Sequence, residues 1–242
     1  MNLALDIGNT RIKIGLFKGK ELVEQAIWTD WALKDLPAFG NAAGVDRVIV
    51  SSVAEPSEAQ REILDTHYDV LELTHKTPLP FENRYKTPLT LGKDRLAAVA
   101  GAQALFPGEA CLVVDCGTCI KYDVLSEDAV YHGGNIAPGA RMRIRAMHHF
   151  TARLPEVDMH MPEHFAGEST ETALQNGALR GAALEIEGFV RLFNARYGPL
   201  KTIITGGDAG FFQPWLGQVQ PLIHEPDLTL YGLNHILQHN TR

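Results

Sequence analysis

The sequence predicts an α/β protein assembled from two related halves. A run of apolar residues, Asp, a variable residue and Gly, then Thr and an alternating run, occurs twice, at Leu3–Phe17 and Leu112–Val124. The two acids that open the turns, Asp6 and Asp115, stand about half of the 242-residue chain apart. Strand-like and helix-like runs mix along the remainder, the pattern of α/β packing.

Each element has its own signal. In the first copy Ile12, Ile14 and Leu16 alternate with Arg11, Lys13 and Gly15; in the second Ile120, Tyr122 and Val124 alternate with Cys119, Lys121 and Asp123. Period-two alternation around a Gly-containing turn predicts a β-hairpin in each half. Between the hairpins, RVIVSSV (47–53) reads as a buried strand and SEAQREILDTHY as a helix. The segment GKDRLAAVAGAQALF carries Leu96, Val99, Ala100 and Leu105 at near-helical spacing. FPGEA then breaks the pattern and sets the boundary between halves 1–107 and 108–242. Beyond it, TETALQNGALRGAALEIEGFVRLFNARYG predicts one long amphipathic helix stopped at Gly198–Pro199. LKTIITGGDAGFF predicts a strand ending at Gly206–Gly207.

Composition narrows the class. Hydrophobic residues make up 45% and charged residues 21%, values of a soluble globular protein. A net charge of −7 without a long Lys/Arg run argues against nucleic acid or an anionic membrane as partner. The start MNLALDIGNT has no basic n-region and meets Asp6 early, so it does not read as a secretory signal. Three cysteines make no disulfide framework. A cytoplasmic location is the expectation.

The chemistry sits in the turns. Phosphate is held by backbone N–H groups in tight turns, where Gly admits close approach and Thr adds a hydroxyl. Asp6–Thr10 and Asp115–Thr118 are two such turns, and a carboxylate beside each suits a cation or a cation-bound water next to phosphate oxygens. Lys13 is a candidate counter-charge. Neither a P-loop nor a dinucleotide fingerprint is present.

Cys116 and Cys119 offer the competing C-x-x-C reading, a thiol redox site or half a zinc site. An activated thiol of that kind sits at a helix N-terminus. Here Cys119 opens an alternating strand and Asp115 opposes thiolate formation, so Cys111, Cys116 and Cys119 read as small packed residues. The pairs His148–His149, His160/His164 and His235/His239 lack a third ligand at metal spacing. Arg141, Arg143 and Arg145 read as a basic ligand face or as an exposed edge. Asp94, at a predicted helix start beside Arg95, reads from its surroundings as an acid favourable to the helix dipole.

The segments DIGNTRIK, NRYKTPLTLGKDRLAAVAGA, VVDCGT, GGNIAPGARMRIRAMHHFTARLP, STETALQNGALRG and IITGGDA occur in this order. In that arrangement the chain resembles the type III pantothenate kinases, from its N-terminus to about Gly210. The G-x-D-R segment after Tyr85 and Pro88 is the most specific part. The resemblance implies a duplicated actin/hexokinase-like (ribonuclease H-like) two-domain ATPase fold with ATP in a central cleft. It also implies a homodimer, and transfer of the γ-phosphoryl of ATP to pantothenate, the first step of coenzyme A synthesis.

By position, the resemblance makes Asp6, Ile7, Gly8, Asn9, Thr10, Arg11, Ile12 and Lys13 the first ATP loop, with Thr118 contacting ATP through the second. It makes Asp115 the acid for a monovalent cation, K⁺ or NH₄⁺. Tyr85, Gly92, Lys93, Asp94 and Arg95 become the pantothenate site, Thr170 a further substrate contact, and Gly206–Gly207 a turn near adenosine. Asp94 thereby changes role, from helix-start acid to proton acceptor. An Asp within hydrogen-bond reach accepts the proton of a primary alcohol as bonding develops, and the Arg95 fork suits the pantothenate carboxylate. Mg²⁺ would arrive with ATP.

One departure stands out. Where the family commonly carries a small hydroxyl residue, this chain has Lys121, whose amine is a candidate replacement for the monovalent cation. Two other classes compete: a non-catalytic nucleotide-binding regulator, opposed by intact Asp94, Arg95 and both turns, and a same-fold kinase of another small hydroxyl substrate, separated only by the Tyr85–Arg95 segment.

Overall fold

Both predicted hairpins form. In the computed structural model, which describes residues 1–8, 11–29, 33–41, 44–52 and 57–241, the strands are β1 (Asn2–Ile7), β2 (Ile12–Lys18), β3 (Glu21–Trp28), β4 (Arg47–Ser52), β5 (Asp69–Glu72), β6 (Glu82–Asn83), β7 (Cys111–Cys116), β8 (Cys119–Leu125), β9 (Val130–Pro138), β10 (Lys201–Thr205) and β11 (Leu222–His224). The helices are α1 (Leu36–Asn41), α2 (Glu58–His67), α3 (Lys93–Leu105), α4 (Ala140–Phe150), α5 (Thr170–Gln175), α6 (Gly181–Tyr197), α7 (Ala209–Phe212) and α8 (Leu228–His239).

The chain packs as two units. One takes in Met1–Gly108, Asp128–Tyr131 and the stretch from Asp227 onward; the other takes in Glu109–Glu127 and His132–Pro226. The first sheet has the order β3-β2-β1-β4-β5, and the second contains the run β9-β8-β7-β10-β11. In each, an antiparallel hairpin (β1/β2, β7/β8) is extended by a strand parallel to its first member (β4, β10), and then by another parallel strand. The repeat read from two turns is thus a repeat of whole sheets.

In the first unit, alternation sends Leu3, Leu5 and Ile7 of β1 and Ile12, Ile14 and Leu16 of β2 into one buried cluster. Ser57 caps α2 with a full capping box, its hydroxyl taking the Gln60 N–H while the Gln60 side chain takes the Ser57 N–H. The other sheet face is thinned by Ala4 and Gly15, which stand opposite each other. A methyl at Gly15 would meet the Phe17 ring and Leu230 of α8. Gly101 of α3 and Gly232 of α8 bring those two helices into backbone contact, because a methyl on either would overlap a carbonyl of the other helix.

The sequence places everything beyond residue 107 in the second half. The structure instead returns α8 to the first unit, and this glycine crossing is the physical reason. β9 also begins in the first unit, where Val130 and Tyr131 pair in parallel with Glu82 and Asn83 of β6.

In the second unit, Leu112, Val114, Cys116, Ile120, Tyr122 and Val124 form the sheet side of the core, against Ala182, Ile186 and Val190 of α6. The predicted single helix 170–198 is interrupted: residues Asn176–Arg180 make a π turn between α5 and α6. Asn176 Nδ2 donates to the His164 carbonyl, and Arg180 donates to Asn176 Oδ1 and to the Pro162 carbonyl. Those side chains anchor the preceding loop at the wider turn. Gly198, at φ 87°, ends α6 where the sequence places the stop. Among the described residues no helix is long and apolar enough to cross a membrane.

Candidate active site

The first turn leaves β1 at Ile7 and re-enters the sheet at Ile12. Gly8 N–H closes it by donating to the Arg11 carbonyl at 3.1 Å. Register sets Lys13 directly across from Asp6, so ammonium and carboxylate leave the hairpin on the same face. Asn9 and Thr10, the tip of the predicted ATP loop, lie outside the described residues.

The second turn repeats this arrangement. Gly117 N–H donates to the Cys119 carbonyl at 3.0 Å, and Thr118 is exposed at the tip. Register sets Lys121 across from Asp115, and here the ion pair is explicit: Nζ to Oδ2 is 2.7 Å, with side chains only 17% and 19% exposed. Gly206, at φ 93°, lies against Asp115 Oδ1 and the Cys116 carbonyl, leaving no room for a Cβ. Asp208 N–H donates to that same carbonyl at 2.8 Å. The TGGD turn therefore braces the Asp115 carboxylate.

Gly139 braces the tip. Its N–H donates to the Thr118 carbonyl at 3.1 Å, and a side chain there would strike the Gly117 and Thr118 carbonyls. Sequence reasoning missed Gly139; the signal was the Pro138–Gly139 pair between a strand pattern and a helix pattern.

The cysteines sit as packed strand residues. Cys111 and Cys116 are fully buried on β7, and Cys119 opens β8. Burial first, then the Asp115 and Asp208 charges, push the Cys116 thiol far above its ordinary pKa. Burial, with Glu109 adding to it, pushes Cys111 up to about 11. A thiol held neutral in this way is a poor nucleophile and metal ligand. Among the described residues no group of three His, Cys, Asp or Glu could hold a metal ion.

The third element is the approach to α3. Tyr85 N–H donates to Asn83 Oδ1, and the Tyr85 ring stacks on buried Tyr131 with 6.2 Å between centroids. The Arg95 guanidinium lies over the Tyr85 ring at 5.4 Å, and the residue is only 4% exposed. Pro88–Thr90 forms a single 3₁₀ turn, and His75 Nε2 bonds the Leu91 carbonyl at 3.1 Å. Gly92 is the N-cap of α3, with the Asp94 carboxylate folded directly over it. Lys93 turns aside, its Nζ 4.0 Å from Glu72 Oε1.

Tyr85, Gly92, Asp94 and Arg95 are thus gathered at one helix start, where the dipole favours an anion. Thr170 is exposed at the first position of α5, after Ser169, whose capping box uses Thr172. Of the Arg141, Arg143 and Arg145 series, Arg141 and Arg145 are exposed and one helical turn apart, while Arg143 is half-buried on another side of the helix. The series lies on α4, where Arg143 pairs with Glu185 and Arg145 with Glu156.

The sequence profile of the type III pantothenate kinase family matches residues 2–192. A type III pantothenate kinase of Phocaeicola vulgatus is 41% identical over 243 residues, covering 100% of both chains. One from Bacteroides fragilis is 42% identical, covering 99% of this chain and 98% of that one. Among solved structures, a putative Baf family transcriptional activator from Campylobacter jejuni superposes with a TM-score of 0.64 at 22% identity, covering 98% of each chain. A ROK hexokinase from Thermus thermophilus does so at 0.53 and 16%, covering 97% of each. At those identities the structural likenesses speak for the fold alone, which is the actin/hexokinase-like one. With matches of this extent, the chain belongs to the type III pantothenate kinase family.

Proposed function

We propose that this protein transfers the γ-phosphoryl group of ATP to pantothenate, forming 4′-phosphopantothenate, the entry step of coenzyme A synthesis. The observation that carries the reading is the start of α3 in a chain of this family. There Asp94 sits over Gly92, beside an Arg95 guanidinium held against Tyr85. Asp94 is the general base for the pantothenate hydroxyl. Arg95, stiffened by the ring stack, offers its fork to the substrate carboxylate. Thr170 and Lys93 belong to the same substrate set.

The two turns are the ATP cradle. Gly8 and Gly117 supply turns that admit a phosphate, since a Cβ on Gly117 would meet nothing closer than 3.7 Å. Asp6, Ile7, Gly8, Asn9, Thr10, Arg11, Ile12, Lys13 and Thr118 hold the nucleotide, and Gly206–Gly207 approaches its adenosine. Mg²⁺ bound with ATP neutralises charge on the phosphate oxygens. Acid and ammonium at Asp6/Lys13 fit such a charged group. Lys121 fills the place of the monovalent cation, because its ammonium already neutralises Asp115.

The protein works as a homodimer, paired along α6. Gly181, Leu184, Gly188, Leu192 and Ala195 lie in one stripe opposite the buried face of that helix. Leu184 is 61% exposed and Leu192 64%. The stripe reads the same from either end about Gly188, so a two-fold axis there sets Leu184 against Leu192 of the second copy and small residue against small residue. A mid-helix glycine costs about 1 kcal/mol relative to Ala, yet a Cβ at Gly188 meets no described atom outside its own helix within 4 Å. A close-approaching second helix accounts for it.

The test is an ADP-release assay with pantothenate and a panel of other small hydroxyl acceptors. Turnover with pantothenate well above the panel is expected. Preference for a sugar or another hydroxy acid would overturn the assignment.

A further inference from the structure

Arg143, Glu185 and Tyr122 form a cluster that the reaction as described does not use. Arg143 Nη2 donates to both Glu185 oxygens at 2.8 Å, and Arg143 Nε donates to the Pro138 carbonyl at 2.8 Å. Tyr122 OH donates to Glu185 Oε1 at 3.2 Å. Tyr122 is fully buried, and burial followed by the Glu185 charge pushes its phenol pKa up, which keeps it a donor. The arginine and glutamate side chains are 20% and 29% exposed.

An exposed pair on two helices would contribute little. This one differs in where its other bonds go. Pro138 is covalently joined to Gly139, whose N–H holds the Thr118 carbonyl and whose Cα packs on the turn. Tyr122 follows Lys121, the partner of Asp115. One carboxylate on α6 thereby fixes both the brace over the second turn and the strand that leaves it. Without Arg143, the Pro138–Gly139 segment keeps its bond to Thr118 and loses its tie to α6.

We infer that Arg143 and Glu185 are positioning residues for the nucleotide, holding the Gly117–Thr118 turn in its phosphate-binding shape through Pro138, Gly139 and Tyr122. The consequence for ATP binding rests on the second turn's place in the proposed ATP cradle; the consequence for turnover rests in addition on pantothenate as the acceptor. The arginine fork is required because one side chain must reach Pro138 with Nε and Glu185 with Nη2 at once.

The experiment titrates MgATP into the full-length protein by calorimetry, and measures KM for ATP and for pantothenate, in Arg143→Met, Arg143→Lys and Glu185→Gln. Arg143→Met should bind ATP roughly 10- to 100-fold more weakly, with the ATP KM rising to match and the pantothenate KM within about twofold, as expected for a displaced binding element. Arg143→Lys keeps the charge but one contact at most, and should fall between. ATP affinity unchanged in Arg143→Met overturns the inference. So does a joint rise of both KM values with a lowered melting temperature, which marks general support of the fold. If Arg143→Met does not fold, Glu185→Gln takes its place, with the same readout and the same two outcomes that overturn the inference. A wild-type protein that binds ATP but leaves pantothenate untouched removes the reaction, and the ATP titration still decides the positioning role.

Discussion

Lys121 Nζ lies 2.7 Å from Asp115 Oδ2, at the register position that Lys13 holds opposite Asp6 in the other hairpin. The ammonium is part of the chain and cannot exchange with solvent ions. Turnover in sodium or Tris buffer should therefore equal turnover in potassium, and Lys121→Thr should acquire dependence on potassium or ammonium. Strong potassium activation of the unmodified enzyme would sink this assignment.

Asp94 lies over Gly92 at the start of α3, and its proposed work is proton acceptance. Asp94→Asn should lower kcat by roughly two to four orders of magnitude, the range of a positioned base. The substitution keeps the shape, so ATP binding measured by calorimetry should hold. Near-normal turnover in Asp94→Asn would take this residue out of the mechanism.

Local pattern carried the sheets and missed what long-range contact decides. The Leu3–Phe17 and Leu112–Val124 repeats were legible because alternation and a Gly turn are written within a few residues. The return of α8 to the first unit was not, since it depends on Gly101 meeting Leu228 and Gly232 meeting Ala97, partners far apart in sequence. The π turn at Asn176 was hidden because one extra residue in a helical turn hardly disturbs apolar periodicity. At the site, the two Asp turns could be read from the residues themselves. Asp94 could not, since a helix-start acid is favourable for its own electrostatic reason, and only the likeness of the whole segment gave it a further role.

The C-x-x-C reading makes a sharp contrast with the packing of these thiols. Cys116→Ala/Cys119→Ala should keep most of the kinase activity, and metal analysis of the unmodified protein should find no stoichiometric zinc. The buried thiols also give stability a pH signature. Their folded pKa values lie above the ordinary 9.0, with Cys111 at about 11. Above pH 9 the unfolded chain gives up these protons while the folded chain keeps them, so stability falls as pH rises. The urea midpoint should drop from pH 9 to pH 11, and less steeply in Cys111→Ala/Cys116→Ala. Equal slopes in the two proteins would count against burial as the cause, and zinc lost with the cysteines would reinstate a metal site.

Gly188 offers a test in which stability and assembly move in opposite directions. Its place in the middle of α6 is unfavourable for the helix, and no described atom outside that helix would resist a methyl group there. In an isolated chain, Gly188→Ala should therefore stabilise the helix by up to about 1 kcal/mol. In a pair crossing at Gly188, the same methyl separates the two backbones and loosens Leu184 and Leu192 from their opposite numbers. Sedimentation velocity across a dilution series should show the unmodified protein as a dimer, Gly188→Ala dissociating at higher concentration, and Leu184→Glu/Leu192→Glu as a monomer. The double variant places acidic groups face to face across the two-fold and leaves the buried side of α6 untouched, so its circular dichroism should match that of the unmodified protein. A Leu184→Glu/Leu192→Glu protein that remains dimeric with native circular dichroism would show that the second copy docks elsewhere.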